Sequence, residues 1–320
     1  MNKKIKMITF DLDDTLWDNR PTIIKAEIDT RKWIEDQVGR VEWGDFNDFL
    51  ELREDLIKED ESIAWDISKL RKEIFRKKLT HVNPRKLRNE IVESAFDIFI
   101  SKRHEIVFFD GVEECIADLS KKYLLGILTN GNADIYKFKI GKYFKFSISS
   151  LEARDSKPNR SHFDMALAQV NDVTFENMLH IGDHQINDMY AADNLGIDCL
   201  WFNNNHDEWE QNFKKPDEFS SWQNLTNIIK YKYEYKYQYE YKYKTTIELR
   251  AAGKDPNQPP AGELTDKDCV TGVSVLTLDF SFIKGDKINK FDGVRKGQII
   301  PIAFSIVSQY PFTWISISHS

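Results

Sequence analysis

The chain has 320 residues, 41% of them hydrophobic and 30% charged, with a formal net charge of −7. That is enough chain for two cored domains, and the acidic balance excludes a general attraction for nucleic acid or anionic lipid while leaving room for small phosphorylated ligands held by a local cation cluster. No apolar run approaches the roughly eighteen residues of a membrane span, and Cys115, Cys199 and Cys269 are too dispersed for a zinc site or a disulfide framework.

Met1–Lys6 is basic but leads into a short strand-like run rather than the apolar stretch of an export signal, so a cytoplasmic protein with its cysteines buried as small hydrophobes is expected. Met7–Phe10 is apolar and stops at acids. Residues 17 to about 105 are charged, with Trp33, Ile34, Phe46, Phe49, Leu52, Leu56, Trp65, Leu70, Ile74, Phe75, Ile91, Phe96 and Phe99 at helical spacing, and predict an all-helical insertion whose aromatics form its core. Three further apolar runs follow, each ending in polar residues: Leu124–Leu128 before Thr129-Asn130-Gly131, Met178–Ile181 before Gly182-Asp183, and Cys199–Phe202 before asparagines. Helical patterns over Val112–Leu119, Phe163–Val170 and Asp188–Leu195 lie between them. Continuous apolar strands alternating with helices predict a doubly wound parallel α/β sheet, which binds ligands at the carboxyl ends of its strands.

The character changes near residue 230. Tyr231–Lys244 alternates tyrosine with charged or amide residues, as a strand with every tyrosine on one face or as a low-complexity linker. Gly253–Gly262 carries three prolines and reads as a loop. Alternation over 273–280, 300–306 and 312–317 suggests a small β-rich appendage, either a partner-binding module or a non-functional extension of the gene.

The strand ends carry the chemistry. Asp11 and Asp13 follow the first run, Thr129 and Asn130 the second, and Asp183 and Asp188 the third, while Lys157 lies in Ser156-Lys157-Pro158 before a helix. A parallel sheet gathers these loops at one edge. Two like charges about 4 Å apart cost on the order of 4 kcal/mol at an effective dielectric near 20, so such a cluster needs a cation. Oxygen donors without thiolate or imidazole suit Mg²⁺. A phosphate dianion would be neutralised by the metal and Lys157 and would accept from Thr129, Asn130 and nearby backbone N–H groups. The stretch Gly131–Asp134 is expected to open a helix whose N-terminus adds to that cradle. Asp11 is then placed to attack phosphorus and Asp13 to serve as acid and base.

Phe10-Asp11-Leu12-Asp13-Asp14-Thr15-Leu16, Leu128-Thr129-Asn130-Gly131, Ser156-Lys157-Pro158 and Gly182-Asp183 with Asp188 resemble, in order, the four motifs of the haloacid dehalogenase-like hydrolase superfamily. The resemblance covers residues 1 to about 225. It implies a Rossmann-like core over 1–16 and 106–228 and a helical cap over 17–105. Residues 229–262 would form a linker tract and 263–320 the β-rich segment. It also implies Mg²⁺ bound by the side chains of Asp11 and Asp183 and the backbone carbonyl of Asp13, with Asp188 assisting. The extended motif through Trp17-Asp18-Asn19-Arg20-Pro21, with Thr129-Asn130-Gly131-Asn132-Ala133, is similar to bacterial phosphatases acting on FMN and 5-amino-6-(5-phosphoribitylamino)uracil. His184 departs from that group, which tends to carry a second Asp there. Nucleoside 5′-monophosphates and haloacids are the alternative substrates, and Asp13 weighs against dehalogenation, which leaves no alkoxide to protonate. Trp17, Asn19 and Arg20 read as hinge or substrate contacts, His180 as core, and His184 as loop or site.

Overall fold

The computed structural model describes residues 4–235. Six parallel strands, β1 (Met7–Phe10), β2 (Leu124–Thr129), β3 (Phe146–Ser149), β4 (Met178–Gly182), β5 (Asp198–Phe202) and β6 (Asp217–Phe219), form one sheet in the order β3-β2-β1-β4-β5-β6. β1 lies between β2 and β4, with Met7 opposite Leu124 and Met178. All four of its residues are fully buried, which is why it reads as a continuous apolar run. Successive side chains serve opposite cores: Met7 packs with Leu128, Phe146, Phe163 and Met178, whereas Ile8 and Phe10 pack with Val112, Ile116, Leu119 and Trp222.

The helical insertion follows β1. It contains α1 (Asn19–Val38), α2 (Phe46–Glu59), α3 (Ile67–Lys78) and α4 (Arg85–Arg103). Its starts are written in local side chains: Asp18 accepts from Arg20 N, Asp45 and Asp48 make a reciprocal capping box, and Asp66 accepts from Lys69 N. α1 ends at Gly39, whose φ of +84° is costly for any residue with a Cβ. The insertion has its own core of Ile34, Val41, Phe75, Leu79, Val82, Ile91, Val92 and Ala95, with a smaller cluster of Leu56, Ile63 and Leu70. Phe46 and Phe49, expected in that core, lie outside it: they are 70% and 36% exposed and stack on one another at the start of α2. Of the residues of α2 only Leu56 is buried, so the helix rests on the insertion by its far end.

Trp17 forms the stem between insertion and sheet. It is fully buried, bridges to Asp13 and Phe108 through its backbone, and packs against the rings of Phe108 and Phe138. The remaining helices flank the sheet: α5 (Val112–Leu119), α6 (Ser150–Ala153), α7 (Ser161–Ala168), α8 (Ala191–Asp193) and α9 (Leu225–Ile229). The helix expected over Asp188–Leu195 is a π-helical turn, Gln185–Tyr190, running into α8. α9 continues as a π-helical turn over Lys230–Tyr235, so the tyrosine tract opens as helix, and Tyr233 packs on the core. The rest of the tract, the proline loop and the β-patterned segments lie outside the described residues. Among the described residues no helix is long and apolar enough to cross a membrane. Cys115 is buried and Cys199 half-buried, and neither is in a disulfide.

Candidate active site

Parallel strands end on one edge, and the polar residues after β1, β2 and β4 meet there. Asp11 continues β1, its N–H donating to Ile181 O at 2.9 Å. Lys157 reaches the same point from the loop after α6. It is 3% exposed, and its Nζ donates to Asp11 Oδ1 at 2.8 Å and to Asp188 Oδ1 at 2.5 Å. Carboxylate oxygens of Asp11, Asp183 and Asp188 all lie within 4.8 Å of one another. Asp11, Lys157 and the pair Asp183 and Asp188, from three separate loops, thus form one cluster.

Its charge is unbalanced. Three carboxylates against one ammonium leave two negative charges in a buried space. Burial pushes Asp183 up to about 7, with the Asp188 charge adding to it. Burial likewise raises Asp11 well above the usual carboxylate range, helped by Asp188 and Asp183 and opposed by Lys157. Burial would also raise Asp188, but the Lys157 ammonium and a hydrogen bond from His180 outweigh it and hold that carboxyl far below its ordinary value. Lys157 is the mirror case: burial disfavours its charge, and the two carboxylates overcome that and hold its pKa above the ordinary lysine value. A divalent cation with a preference for oxygen donors would relieve the remaining repulsion, so the donor set fits the metal that the motifs imply.

The surroundings hold these groups in place. Asp188 Oδ2 accepts from His184 N at 3.0 Å, and its Oδ1 meets His180 Nε2 at 3.1 Å, while His180 Nδ1 meets Thr9 Oγ1 at 2.9 Å. Thr15 Oγ1 donates to Asp183 Oδ1 at 2.8 Å. Asn130 is a brace: its Oδ1 accepts from Lys157 N at 2.8 Å and Ser150 Oγ at 3.0 Å, and its Nδ2 donates to Lys157 O. Its side-chain amide is thus committed to the lysine loop. Thr129 is buried, and its hydroxyl accepts from Gly131 N at 2.9 Å. The helix expected to open at Gly131–Asp134 is instead a three-residue 3-10 turn, Ile135–Lys137, because Asp134 caps Tyr136 N and the chain doubles back where Gly141 approaches Ile135. A turn that short adds no macrodipole to the cradle.

Asp13 stands beside the cluster with partners of its own. Trp17 Nε1 donates to its Oδ1 at 3.0 Å, and the guanidinium of Arg103, at the end of α4, contacts both of its oxygens. Trp17 therefore ties the stem of the insertion to Asp13. Asn19 stands at the first turn of α1, its N–H donating to Asp14 Oδ1 at 2.8 Å, and Arg20 follows it. His184 caps the π-helical turn, its ring accepting from Ile186 N and Asn187 N. Arg103, Thr15 and the tie from His180 to Asp188 were not legible in the sequence. Only the short spacing from His180 to Asp188 hints at any of them.

A buried carboxylate–lysine cluster at the strand ends of a Rossmann-like parallel sheet is the arrangement of a hydrolytic enzyme. The profile of the haloacid dehalogenase-like hydrolase family matches residues 8–202, and the chain belongs to that family of enzymes. It is 26% identical over 231 residues to the 5-amino-6-(5-phospho-D-ribitylamino)uracil phosphatase YigB of Escherichia coli, covering 71% of this chain and 97% of that one. It is 28% identical over 207 residues to glyceraldehyde 3-phosphate phosphatase of Pyrococcus furiosus, covering 62% and 81%. Among solved structures, a 2-haloacid dehalogenase from Pseudomonas syringae pv. Tomato superposes with a TM-score of 0.64 at 30% identity, over 70% of this chain and 98% of that one.

Proposed function

We propose that the protein is a Mg²⁺-dependent phosphatase that hydrolyses small phosphorylated metabolites through an aspartyl-phosphate on Asp11. The observation that carries this reading is the buried Asp11–Lys157–Asp188 arrangement with Asp183 beside it and Asp13 two residues on. Asp11 Oδ attacks phosphorus, and the bond from phosphorus to the ester oxygen breaks. Asp13 gives its proton to that oxygen as the alcohol leaves. A water then attacks the phosphorus of the aspartyl-phosphate, its proton passes to Asp13, and the bond to Asp11 breaks to release phosphate. Lys157 holds Asp11 in place and neutralises part of the phosphoryl charge. Asp11, Asp183 and Asp188 would hold the cation, which supplies charge stabilisation for the phosphoryl oxygens when bound.

The substrates proposed first are 5-amino-6-(5-phosphoribitylamino)uracil and FMN. The extended first motif and the likeness to the Escherichia coli phosphatase over nearly its whole length support them. The likeness to a haloacid dehalogenase favours a second reading, halide displacement by Asp11. Asp13 argues against it, because a departing halide takes no proton. Phosphate release across a panel of phosphorylated metabolites and nucleoside 5′-monophosphates, run beside halide release from 2-chloropropionate, separates the two. Asp11→Asn should abolish p-nitrophenyl phosphate turnover, and activity within tenfold of the unaltered enzyme would remove Asp11 as nucleophile.

A further inference from the structure

Arg103 is the cap's one fully buried cation among the described residues, at 1% exposure. It ends α4, at the junction where the cap rejoins the sheet domain. One amino group, Nη2, contacts both oxygens of Asp13, 2.5 Å from Oδ2. The other, Nη1, is buried and has no hydrogen-bond partner. A buried charged donor left unpaired is costly, and such groups ordinarily have a partner. The guanidinium rests near the Trp17 ring, 5.9 Å from its centroid, and Trp17 Nε1 shares Asp13 with it. Gly131 completes the surroundings. A Cβ on it would come within 2.6 Å of Asp13 Oδ2, 3.1 Å of Thr129 Oγ1 and 3.6 Å of Arg103 Nη2, so the loop after β2 and the cap converge on one small space.

We infer that Arg103 is the residue by which the cap reads the leaving group: Nη1 takes a hydroxyl or carboxylate oxygen carried on the alcohol near the ester. This rests on the phosphatase reading above. In that reaction Asp13 must reach the ester oxygen to protonate it, so whatever is fastened to Asp13 stands on the leaving-group side. Nη1 is two bonds from the Nη2 that grips Asp13, and an oxygen it binds therefore lies within a carbon or two of the ester oxygen. The substrate class that meets this requirement is a phosphate monoester of a polyol or hydroxy acid. A planar fork can hold Asp13 with one prong and substrate with the other, at two points set apart by the guanidinium, whereas a lysine offers only one nitrogen.

The test compares kcat/KM for glycerol 3-phosphate and n-propyl phosphate, which differ only in the hydroxyls, using the full chain with Mg²⁺. The unaltered enzyme should prefer glycerol 3-phosphate at least tenfold, and Arg103→Lys and Arg103→Gln should each shrink that ratio to within about twofold. Equal turnover of the two esters by the unaltered enzyme overturns the inference alone. So does a preference that survives both substitutions, or a loss shared equally by both esters, which would put Nη1 on the phosphoryl group. Turnover of neither ester, nor of any other phosphomonoester, overturns the phosphatase reading and this inference with it. A crystal structure of the unaltered enzyme with vanadate and glycerol gives an answer that needs no variant: Nη1 should lie within hydrogen-bond distance of a glycerol oxygen, and a glycerol that it does not touch rejects the assignment.

Discussion

The sheet domain and the helical insertion are made of opposite materials. In the sheet the charged groups that matter are buried and bonded to one another, as Lys157 is to Asp11 and Asp188. In the insertion many charges form exposed pairs such as Lys58 with Asp55 and Lys77 with Glu59, on helices that cover a separate apolar core. Exposed pairs of that kind contribute little stability, whereas breaking a buried pair leaves an uncompensated charge. The sheet domain therefore fixes Asp11, Lys157, Asp183 and Asp188 by itself, whereas Asp13 is held from the insertion. Arg103 is where the two meet.

The largest effect that would sharpen this contrast is on the cap's own packing. Phe75 is buried among Ile34, Leu79 and Val92, so Phe75→Ala should cost about 3–5 kcal/mol. Limited proteolysis should then cut within 19–103 while the sheet domain stays intact. If cap and sheet lose protection together at one midpoint, they are a single cooperative unit and the contrast fails.

Lys157→Ala comes next. It should lower kcat by roughly 10²–10³, about 3 kcal/mol of lost charge stabilisation, with the cap's protection from proteolysis unchanged. A kcat within fivefold of the unaltered enzyme would deny the lysine its role.

A further effect is a pH response confined to the sheet. In chelator the folded protein keeps Asp183 protonated up to about 7, whereas the unfolded chain releases that proton near 3.8. Between those values the native state binds more protons, so stability falls as pH rises, and the loss is complete above pH 7. Asp11 shifts in the same direction. Each kcal/mol should appear as about 2–4 °C in Tm. Mg²⁺ binds the ionised carboxylates, so the Tm gained on adding it should grow from pH 5 to pH 8. A Tm in EDTA that is flat over this range, or indifferent to Mg²⁺ at pH 8, would contradict the cation site.

Much of the sheet domain was legible because a doubly buried strand must be continuously apolar and a parallel sheet must put its carboxyl ends on one edge. Met7–Phe10 is β1 residue for residue, and Val112–Leu119 is α5. β3 and β6 were missed for the same physical reason. Phe146–Ser149 sets only two apolar residues beside two serines, and Asp217–Phe219 is a three-residue edge strand with a single apolar side chain, so neither forms a run. The exposed Phe46 and Phe49 were misassigned because helical spacing says which residues share a face and not whether a second element covers it.

The order of acids, lysine and glycines along the chain determined by itself the family, the parallel sheet and the convergence of Asp11, Lys157, Asp183 and Asp188, because strand ends in such a sheet have nowhere else to go. Only the tertiary structure decided that Asn130 braces a loop, that His180 and Thr15 hold two of the carboxylates, and that Arg103 reaches Asp13 across 90 residues. Those pairings depend on how far and at what angle separate elements approach, and residue order carries no distance between them.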